Sequence, residues 1–538
     1  MPYTDKELRL LGQYFSVLTP RDHGDIYLVR NLPPEVAATL NGVYSRSRLS
    51  MRDQFLDRLK KGIESAGTSF EDAEVPDPPE DFLGRVLSDK AGKFLKTYAI
   101  DHGHNSLREG SVVHLAVENV SQLVTRFIQR ERRCSFEESS TRYISFSQEG
   151  HWRDPSVVEA GGDVNEAYEE ILGVTFELYQ EISEKLIEYL KANRPLGADE
   201  KEGPWLRTIR AEAFDAARYL LTPAIYTKWG MVADARTLSD VITELLSHPL
   251  EEFKLVGRRI KEQAEHALPT LLTHSGPNEF LHEQHTSMRG VAGRFGAVSR
   301  VNGEGKPGIR LLSYDPDLDA RLLASLVYEQ SDQPYESLLS QCKAMNSDDQ
   351  KGLMASILQN RGSRDALPFG IEGAAPFDFE LLVDFGAYRD IGRHRKGFQQ
   401  QQVLTTAHGY LTPPLIREAG LEEKFSAVLN RVAKLQPKIA TDHPHAAGYI
   451  TPFAFLQRVR ITFEPRQTAY FIELRSGPEG HFAYRQSALD LFKEVQRVSP
   501  LFASFIRAKE GDAFLGRMNA EQTADDRRQK RMERAGDA

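Results

Sequence analysis

The stretch RERRCSFEESSTRY, residues 130–143, sets Arg130, Arg132, Arg133 and Arg142 among the hydroxyls of Ser135, Ser139, Ser140 and Thr141 and the carboxylates of Glu131, Glu137 and Glu138. Cys134 and Phe136 are all it offers a core. A guanidinium fork pairs with phosphate oxygens two at a time, and serine hydroxyls complete such a shell. A carboxylate orients an imide or a sugar hydroxyl on the same ligand. A nucleotide carries all of these groups. Taken alone, an arginine-rich segment is more often a helix end with surface ion pairs, so spacing and context must decide.

The elements that would position these residues are read from periodicity. Val113, Val117, Val120, Val124 and Phe127 recur at spacings of four, three, four and three, which predicts a helix. That helix would carry Arg126 and Arg130 one turn apart and deliver Arg132 and Arg133 at its C-terminal end, where cations suit the dipole. Leu172, Phe176, Tyr179, Ile182, Leu186 and Tyr189 predict a second amphipathic helix closed by Pro195. Residues 206–221 and 236–266 also read as helical, separated by Pro223. The segment AEVPDPPEDFLG (73–84) reads as a loop, and residues 270–308, rich in glycine, histidine and polar side chains, read as a linker. From Gly511 onward the chain is charged and nearly free of aromatics, which predicts a solvated helix or a disordered tail.

An internal repeat emerges. REGSVVHLAVENVSQLVTRFIQRERR (108–133) lies on IEGAAPFDFELLVDFGAYRDIGRHRK (371–396) without a gap. Both carry Glu-Gly (Glu109-Gly110, Glu372-Gly373) and reach an Arg-x-Arg-basic cluster at Arg130 and Arg393. Downstream, YLLTPAIYTKWGMVADARTL (219–238) resembles GYITPFAFLQRVRITFEPRQT (448–468), with Pro223 and Pro452 each followed by an arginine, Arg236 and Arg466. This is the pattern of a tandem duplication whose halves have diverged.

Composition narrows the class. The 538 residues exceed one ordinary core, and 40% hydrophobic content with a mean hydropathy of −0.45 fits a globular chain. No apolar run is long enough to span a bilayer, and the start, MPYTDKELRLLGQYF, lacks a secretion signal, so no membrane association and a cytoplasmic location are expected. Two cysteines, Cys134 and Cys342, exclude a disulfide scaffold and fit a reducing compartment. A net charge of −9 argues against general nucleic-acid binding, while a local arginine cluster on an acidic protein suits a small anionic ligand. His274, His282 and His285 match no ligand spacing with an acidic partner, so no metal is expected. GVAGRFG (290–296) lacks the strand and the Lys-Ser/Thr ending of a phosphate loop.

The pattern Arg130, Arg132, Ser135, Ser140, Arg142, Tyr143 resembles the R-H-R-x-x-S-x-x-x-x-S-x-R signature of the flavin-dependent thymidylate synthases, with Glu131 in place of its histidine. HGHNSLREG (102–110) resembles the family's G-H-x-S-x-x-E-H element through Gly103, His104, Ser106 and Glu109, with Gly110 replacing the second histidine. AARYLLTPAIYTKWGMVADARTL resembles its A-R-x-x-L-P and N-A-R-S-L elements, which puts Arg218 and Arg236 on ligand-binding positions. The first repeat departs at Asp234, where the family has asparagine, and at Leu245, where it carries a nucleotide-contacting arginine. The second repeat supplies the intact Arg393-His394-Arg395 and restores the arginine as Arg475. It has Val403 and Thr405 where the substrate loop needs Ser and Arg, and no arginine at the Arg218 position.

The resemblance implies an α/β protein of two tandem flavin-dependent thymidylate synthase-like domains, each a mixed or antiparallel sheet with long helices. Expected boundaries are a leader at 1–30, a first repeat with the nucleotide motif at 31–268, a linker at 269–308, a second repeat with the cofactor motif at 309–510 and a tail at 511–538. The implied reaction is FAD-dependent methylation of dUMP to dTMP, with methylenetetrahydrofolate as one-carbon donor and NADPH as reductant. Implied substrate-binding residues are Glu138, Ser139, Ser140, Arg142, Arg218 and Arg475, the last two also catalytic. Implied cofactor-binding residues are His104, Ser106, Glu109, Arg130, Arg132, Arg236, Arg393, His394, Arg395 and Arg466. Family members are homotetramers with shared sites, so a homodimer of this chain is implied to mimic the tetramer, with one working site per chain. Glu131 would repel an anionic cofactor at the reciprocal site. The alternatives are a flavoenzyme modifying another pyrimidine nucleotide and a non-catalytic nucleotide-binding homologue.

Overall fold

The computed structural model describes residues 3–15, 31–44, 51–65, 67–73, 90–142, 145–146, 150–296, 299–362, 364–509, 511 and 513–536. Residues 1–2 and 16–30 of the expected leader, residues 74–84 of the expected loop over 73–84, and Tyr143 lie outside these. The principal elements of the first half are α1 (Asp5–Tyr14), α2 (Pro34–Tyr44), α3 (Met51–Ser65), β1 (Val112–Ser121), α4 (Gln122–Ile128), β2 (Ser135–Glu138), α5 (Gly162–Asn193), α6 (Glu202–Ala217), β3 (Tyr226–Asp234), α7 (Ala235–Leu246), α8 (Glu251–Glu265) and α9 (Glu279–Ala292). There follow β4 (Gly308–Ser313), α10 (Leu318–Tyr328), β5 (Phe377–Asp384), α11 (Phe385–Ile391), β6 (Phe398–Gln401), α12 (Glu422–Asp442), β7 (Leu456–Phe463), α13 (Pro465–Arg475), α14 (Phe482–Val498) and α15 (Ala513–Gly536).

The expected helix from Val113 is instead mostly strand. Residues Val112–Ser121 form β1, and the helix begins only at Gln122. Four β-branched valines in nine positions favour a pleated surface, and a short apolar run can satisfy both periods, so spacing alone could not separate them. Arg126 and Arg130 still follow on α4 and its C-terminal end.

Two sheets have the same plan. The first has the order β1-β3-β2 and the second β4-β5-β7-β6, so β5, β7 and β6 repeat β1, β3 and β2, and β4 is an added edge strand. β2 pairs antiparallel with β3 (Glu138 opposite Trp229), as β6 pairs with β7 (Gln401 opposite Val459). Along β5 and β7, Phe377, Phe379, Leu381, Val459, Ile461 and Phe463 are buried at every second position, the alternation of a half-covered sheet. Caps repeat too. Ser121 receives the N–H of Val124 at the start of α4, as Asp384 receives that of Ala387 at the start of α11. Asp234 caps α7 through Thr237, and Glu464 caps α13 through Gln467. Each such cap contributes about 1 kcal/mol and fixes where strand becomes helix.

The chain divides into two compact units. One comprises residues 1–118, 133–138 and 228–295, the other residues 119–132, 139–227 and 296–538. In the first, Leu10, Leu11 and Tyr14 of α1 are buried in one cluster with Val36, Leu40, Phe55 and Leu59. Within the expected linker, α9 is a helix with no buried residue, capped by Asn278 onto Leu281. Its apolar side chains, Phe280, Met288 and Val291 among them, are exposed, and with glycine, histidine and polar residues around them the composition suggested a loop. The second unit contains the core of the second repeat together with α4, α5 and α6 of the first.

Within that second unit the equivalent parts of the two repeats pack on each other. Arg126 donates to the carbonyl of Arg389 at 3.2 Å, and these residues stand 263 apart, the offset of the repeat. Ala224 N–H bonds the Tyr449 carbonyl at 2.8 Å, and Phe453 N–H bonds the Leu221 carbonyl at 2.9 Å. α5 and α12 run antiparallel, tied by Lys424 to Glu181 (2.5 Å) and Arg431 to Glu170. Element i touching j while the equivalent of j touches that of i is the signature of an isologous, two-fold-like contact, here within one chain.

Candidate functional site

Asp390 organises the site. It lies in the last turn of α11, where a carboxylate opposes the helix dipole and needs cations. Arg218 approaches it at 3.7 Å and Arg475 at 3.9 Å. Burial works against its charge, but Arg218, Arg142, Arg393 and Arg475 outweigh burial and hold the carboxyl down at about 2. Four guanidiniums from both repeats therefore act on one anion.

A second carboxylate stands beside it. Asp215, on α6, accepts from Arg142 in bidentate fashion, Nε to Oδ1 at 2.9 Å and Nη2 to Oδ2 at 3.1 Å. Burial again opposes ionisation, and Arg142, Arg517, His481 and Arg218 more than offset it, holding this carboxyl below the usual range. In return, Asp215, Tyr484 and Asp390 outweigh burial of the Arg142 guanidinium and keep its charge secure. The ring of Tyr484 bridges the repeats, with Arg142 5.8 Å and Arg475 5.1 Å from its centroid.

The remaining groups fix these arginines. Arg475 Nε donates to His394 Nε2 at 2.8 Å, and Nη2 donates to the Asp390 carbonyl at 2.9 Å. Burial first, then Arg475, pushes His394 down to about 3, so its ring is neutral and Nδ1 carries the hydrogen. That hydrogen faces the Gln467 side-chain amide at 3.1 Å, which must turn its oxygen toward it. Thr141, fully buried, accepts from Arg389 at 2.6 Å and Arg218 at 3.3 Å. Arg218 also donates to the Gly386 carbonyl at 3.4 Å, and a Cβ at Gly386 would stand 3.3 Å from the Tyr219 ring, so this close approach favours glycine.

A second arrangement occurs twice. Glu372 pairs with Arg466 and Lys396 in the second unit, and its first-repeat equivalent Glu109 pairs with Arg236 in the first. The Glu-Gly motif and the distal arginine, more than 90 residues apart in each repeat, are thus one structural element made twice.

The sequence profile of the family described as thymidylate synthase complementing protein matches residues 53–270 and 310–501, two segments that carry the two sets of motifs. The chain belongs to the flavin-dependent thymidylate synthase family. It is 28% identical to a UPF0159 protein of Chlamydia pneumoniae over 96% of this chain and 97% of that one. A UPF0159 protein of Thermoplasma acidophilum is 24% identical over 80% of this chain and 91% of its own length. A protein of Clostridium tetani named flavin-dependent thymidylate synthase is 23% identical over 37% of this chain and 76% of its own.

Of the flavin-dependent thymidylate synthase motif residues, Arg142, Arg218, Arg393, His394 and Arg475 gather around Asp390 in the second unit. Ser140 accepts the Arg142 N–H at 3.3 Å, and Ser139 is half-buried beside it. Glu138 ends β2 opposite Trp229 in the first unit. Arg130 does not join the cluster and stacks on the Phe127 ring at 3.9 Å. Arg132 donates to the Lys396 carbonyl at 3.1 Å, while Arg395 is half-buried. His104 and Ser106 are exposed in the first unit, with His104 6.4 Å from the Tyr98 ring. Among the described residues no group of three or more His, Cys, Asp or Glu side chains is placed to hold a metal, and no helix is long and apolar enough to cross a membrane. Sequence reasoning missed Asp215, Asp390, Tyr484 and Arg517. A usable signal existed, since Asp215-x-x-Arg218 and Asp390-x-x-Arg393 place an acid one helical turn before each motif arginine.

Proposed function

We propose that this chain is an FAD-dependent enzyme that methylates dUMP to dTMP with methylenetetrahydrofolate as one-carbon donor and NADPH as reductant. On this reading residues 31–268 and 309–510 are the two repeats, one site per chain is built from both, and chains assemble as homodimers in the cytoplasm. The observation that carries it is the convergence of Arg142 and Arg218 of the first repeat with Arg475 of the second on Tyr484 and Asp390.

The residues fit an anionic nucleotide. Four guanidiniums around Asp390 leave the cluster net positive even after Asp215, and the buried surroundings strengthen that field. Ser139 and Ser140 supply hydroxyl donors beside Arg142. Arg218 and Arg475 are the groups that stabilise negative charge developing on the uracil ring as its C5 becomes nucleophilic. His394, neutral and hydrogen-bonded on both nitrogens, sets the direction of Arg475 and does not itself move a proton. Donor chemistry also fits FAD: Arg393 is exposed beside His394 and offers guanidinium donors suited to a pyrophosphate, with Arg395 following. Arg466 is engaged by Glu372, so it supports the cofactor loop before it can touch a ligand. Bound FAD would supply the hydride that completes the methyl group. Glu131 and Phe127 occupy the reciprocal positions and leave one site per chain.

A flavoenzyme acting on another pyrimidine nucleotide is the second reading, favoured by the bidentate hold of Asp215 on Arg142. Purified protein assayed with FAD, dUMP, NADPH and methylenetetrahydrofolate separates the two: dTMP formation supports the first, and flavin reduction without dTMP the second. Arg142→Ala and Arg475→Ala should each weaken dUMP binding by roughly 100-fold or more in calorimetry, the scale of losing a charged hydrogen-bonding partner, and Thr405→Ala by less than about twofold. A severe Thr405 defect would mean that the repeats are paired wrongly.

A further inference from the structure

The C-terminal helix lies beyond the segments that match the family profile, the second of which ends at residue 501. It nevertheless reaches the cluster. Lys201 pairs with Asp526 at 2.7 Å, Arg207 with Glu521 at 2.8 Å, and the Thr208 hydroxyl donates to the Met518 sulfur at 3.7 Å, which lays α15 along α6. These contacts bring Arg517, 6% exposed, onto Asp215, where Nη2 donates to Oδ2 at 2.5 Å. That oxygen is the one that also takes Nη2 of Arg142. A surface helix gains nothing from burying a guanidinium unless a carboxylate receives it, so the placement calls for a role at Asp215.

We propose that Arg517 is a positioning residue of the nucleotide site, balancing the charge of Asp215 so that Arg142 keeps a positive field for an anionic phosphate. The inference rests on the function proposed above. Without Arg517 the Arg142–Asp215 pair by itself is neutral, Arg218 acts on Asp215 less strongly than Arg142 does, and a phosphate approaching Arg142 would meet more of the carboxylate's repulsion. With Arg517 present, the trio carries one net positive charge, and Arg142 remains oriented by its bidentate bond. Arg142 and Arg218, inside the family match, act on Asp215 as well, and the added charge of Arg517 comes from a segment outside that match.

Calorimetric binding of dUMP and of uncharged deoxyuridine, on the full chain and on Arg517→Met and Arg517→Lys, tests this. Arg517→Met should weaken dUMP on the order of tenfold while changing deoxyuridine by less than about twofold, and Arg517→Lys should restore most of the loss. An equal loss for both ligands, or none, overturns the assignment, because a merely structural role has no preference for charge. The second arm is a thermal-denaturation cycle of Arg517→Met with Asp215→Asn. A smaller effect of Arg517→Met in the Asp215→Asn background is expected, and additive effects overturn the coupling. If the unaltered chain binds neither ligand, the function proposed above fails, and the cycle alone decides Arg517.

Discussion

Asp390 and Phe127 stand at equivalent places in the two repeats, and the arginine three residues beyond each follows its neighbour. In the second repeat Arg393 acts on the carboxylate of Asp390 together with three other guanidiniums. In the first, Arg130 lies over the Phe127 ring at 3.9 Å and acts, with Arg126, on the phenol of Tyr388. Glu131 then occupies the position of His394, and Leu245 that of Arg475. By contrast, the Glu109–Arg236 and Glu372–Arg466 pairs persist on both sides. The difference teaches that the ion pair belongs to the architecture, which both repeats need, while the buried acid belongs to the arginine cluster, at whose equivalent place in the first repeat Phe127 stands. A buried carboxylate is too costly to retain without its cations, and the cations too repulsive without the carboxylate, so the set is lost or held together.

The most direct way to break this comparison is Asp390→Asn. It leaves Arg142, Arg218, Arg393 and Arg475 without their common counter-charge, and losing one member of a buried ionic set costs about 3–5 kcal/mol. Urea denaturation should show a loss of that size, with dUMP binding abolished in calorimetry. Stability unchanged by Asp390→Asn would mean that the arginines are balanced elsewhere and that Asp390 organises nothing.

The arginines were legible in the sequence because their spacing is set by one short loop and one helix end, and spacing survives divergence. α5 and the helical stretches within 206–221 and 236–266 were legible for a similar reason, since their apolar stripes and bounding prolines are local signals. The acids were not. Asp215 and Asp390 act through tertiary contact with residues up to 302 positions away, and their local trace, an arginine three residues on in Asp215-x-x-Arg218 and Asp390-x-x-Arg393, is a spacing that solvated helical ion pairs share. β1 was misread because valines at alternating three- and four-residue spacings fit a helical face while their branching favours a strand. Arg517 sits in a segment whose composition is that of a solvated tail, and the contacts of α15 with α6 reveal that Arg517 and Met518 are buried.

A smaller effect concerns pH. His394 and His481 are each pushed down to about 3 from 6.5, by burial first and then by Arg475 and Arg218 respectively. Both are neutral in the fold and protonate in the unfolded chain. Their contribution is complete above pH 6.5 and is lost as pH falls from 6.5 toward about 3. Asp384 runs the other way, since burial raises it to about 6, and the fold gains from its protonation as pH falls from 6 toward 3.8. His151, pushed down to about 4 by burial, and His408, also lowered by burial, add to the decline on acidification, while Glu35, Glu212 and Asp319, raised by burial, join Asp384 in opposing it. The histidines carry the larger shifts and leave a net decline. Chemical denaturation from pH 7 to 5 should show it, and His394→Gln, which keeps an acceptor for Arg475, should flatten the slope by about 2 kcal/mol over that range. An unchanged slope would mean that His394 titrates normally.

The smallest expected effect sharpens the comparison most. Phe127→Leu keeps apolar bulk and removes the π face under Arg130, which is worth about 0.5–1 kcal/mol at a partly exposed position. Stability in urea should fall by that amount, and dUMP affinity should stay within about twofold, because nothing at Phe127 contributes to the Asp390 cluster. The stoichiometry should remain one nucleotide per chain. If affinity or stoichiometry dropped instead, Arg130 would have to be serving a ligand through its seat on Phe127. The first repeat would then hold a second working site, and the asymmetry between Asp390 and Phe127 would mark two ways of presenting an arginine, not the presence and loss of one site.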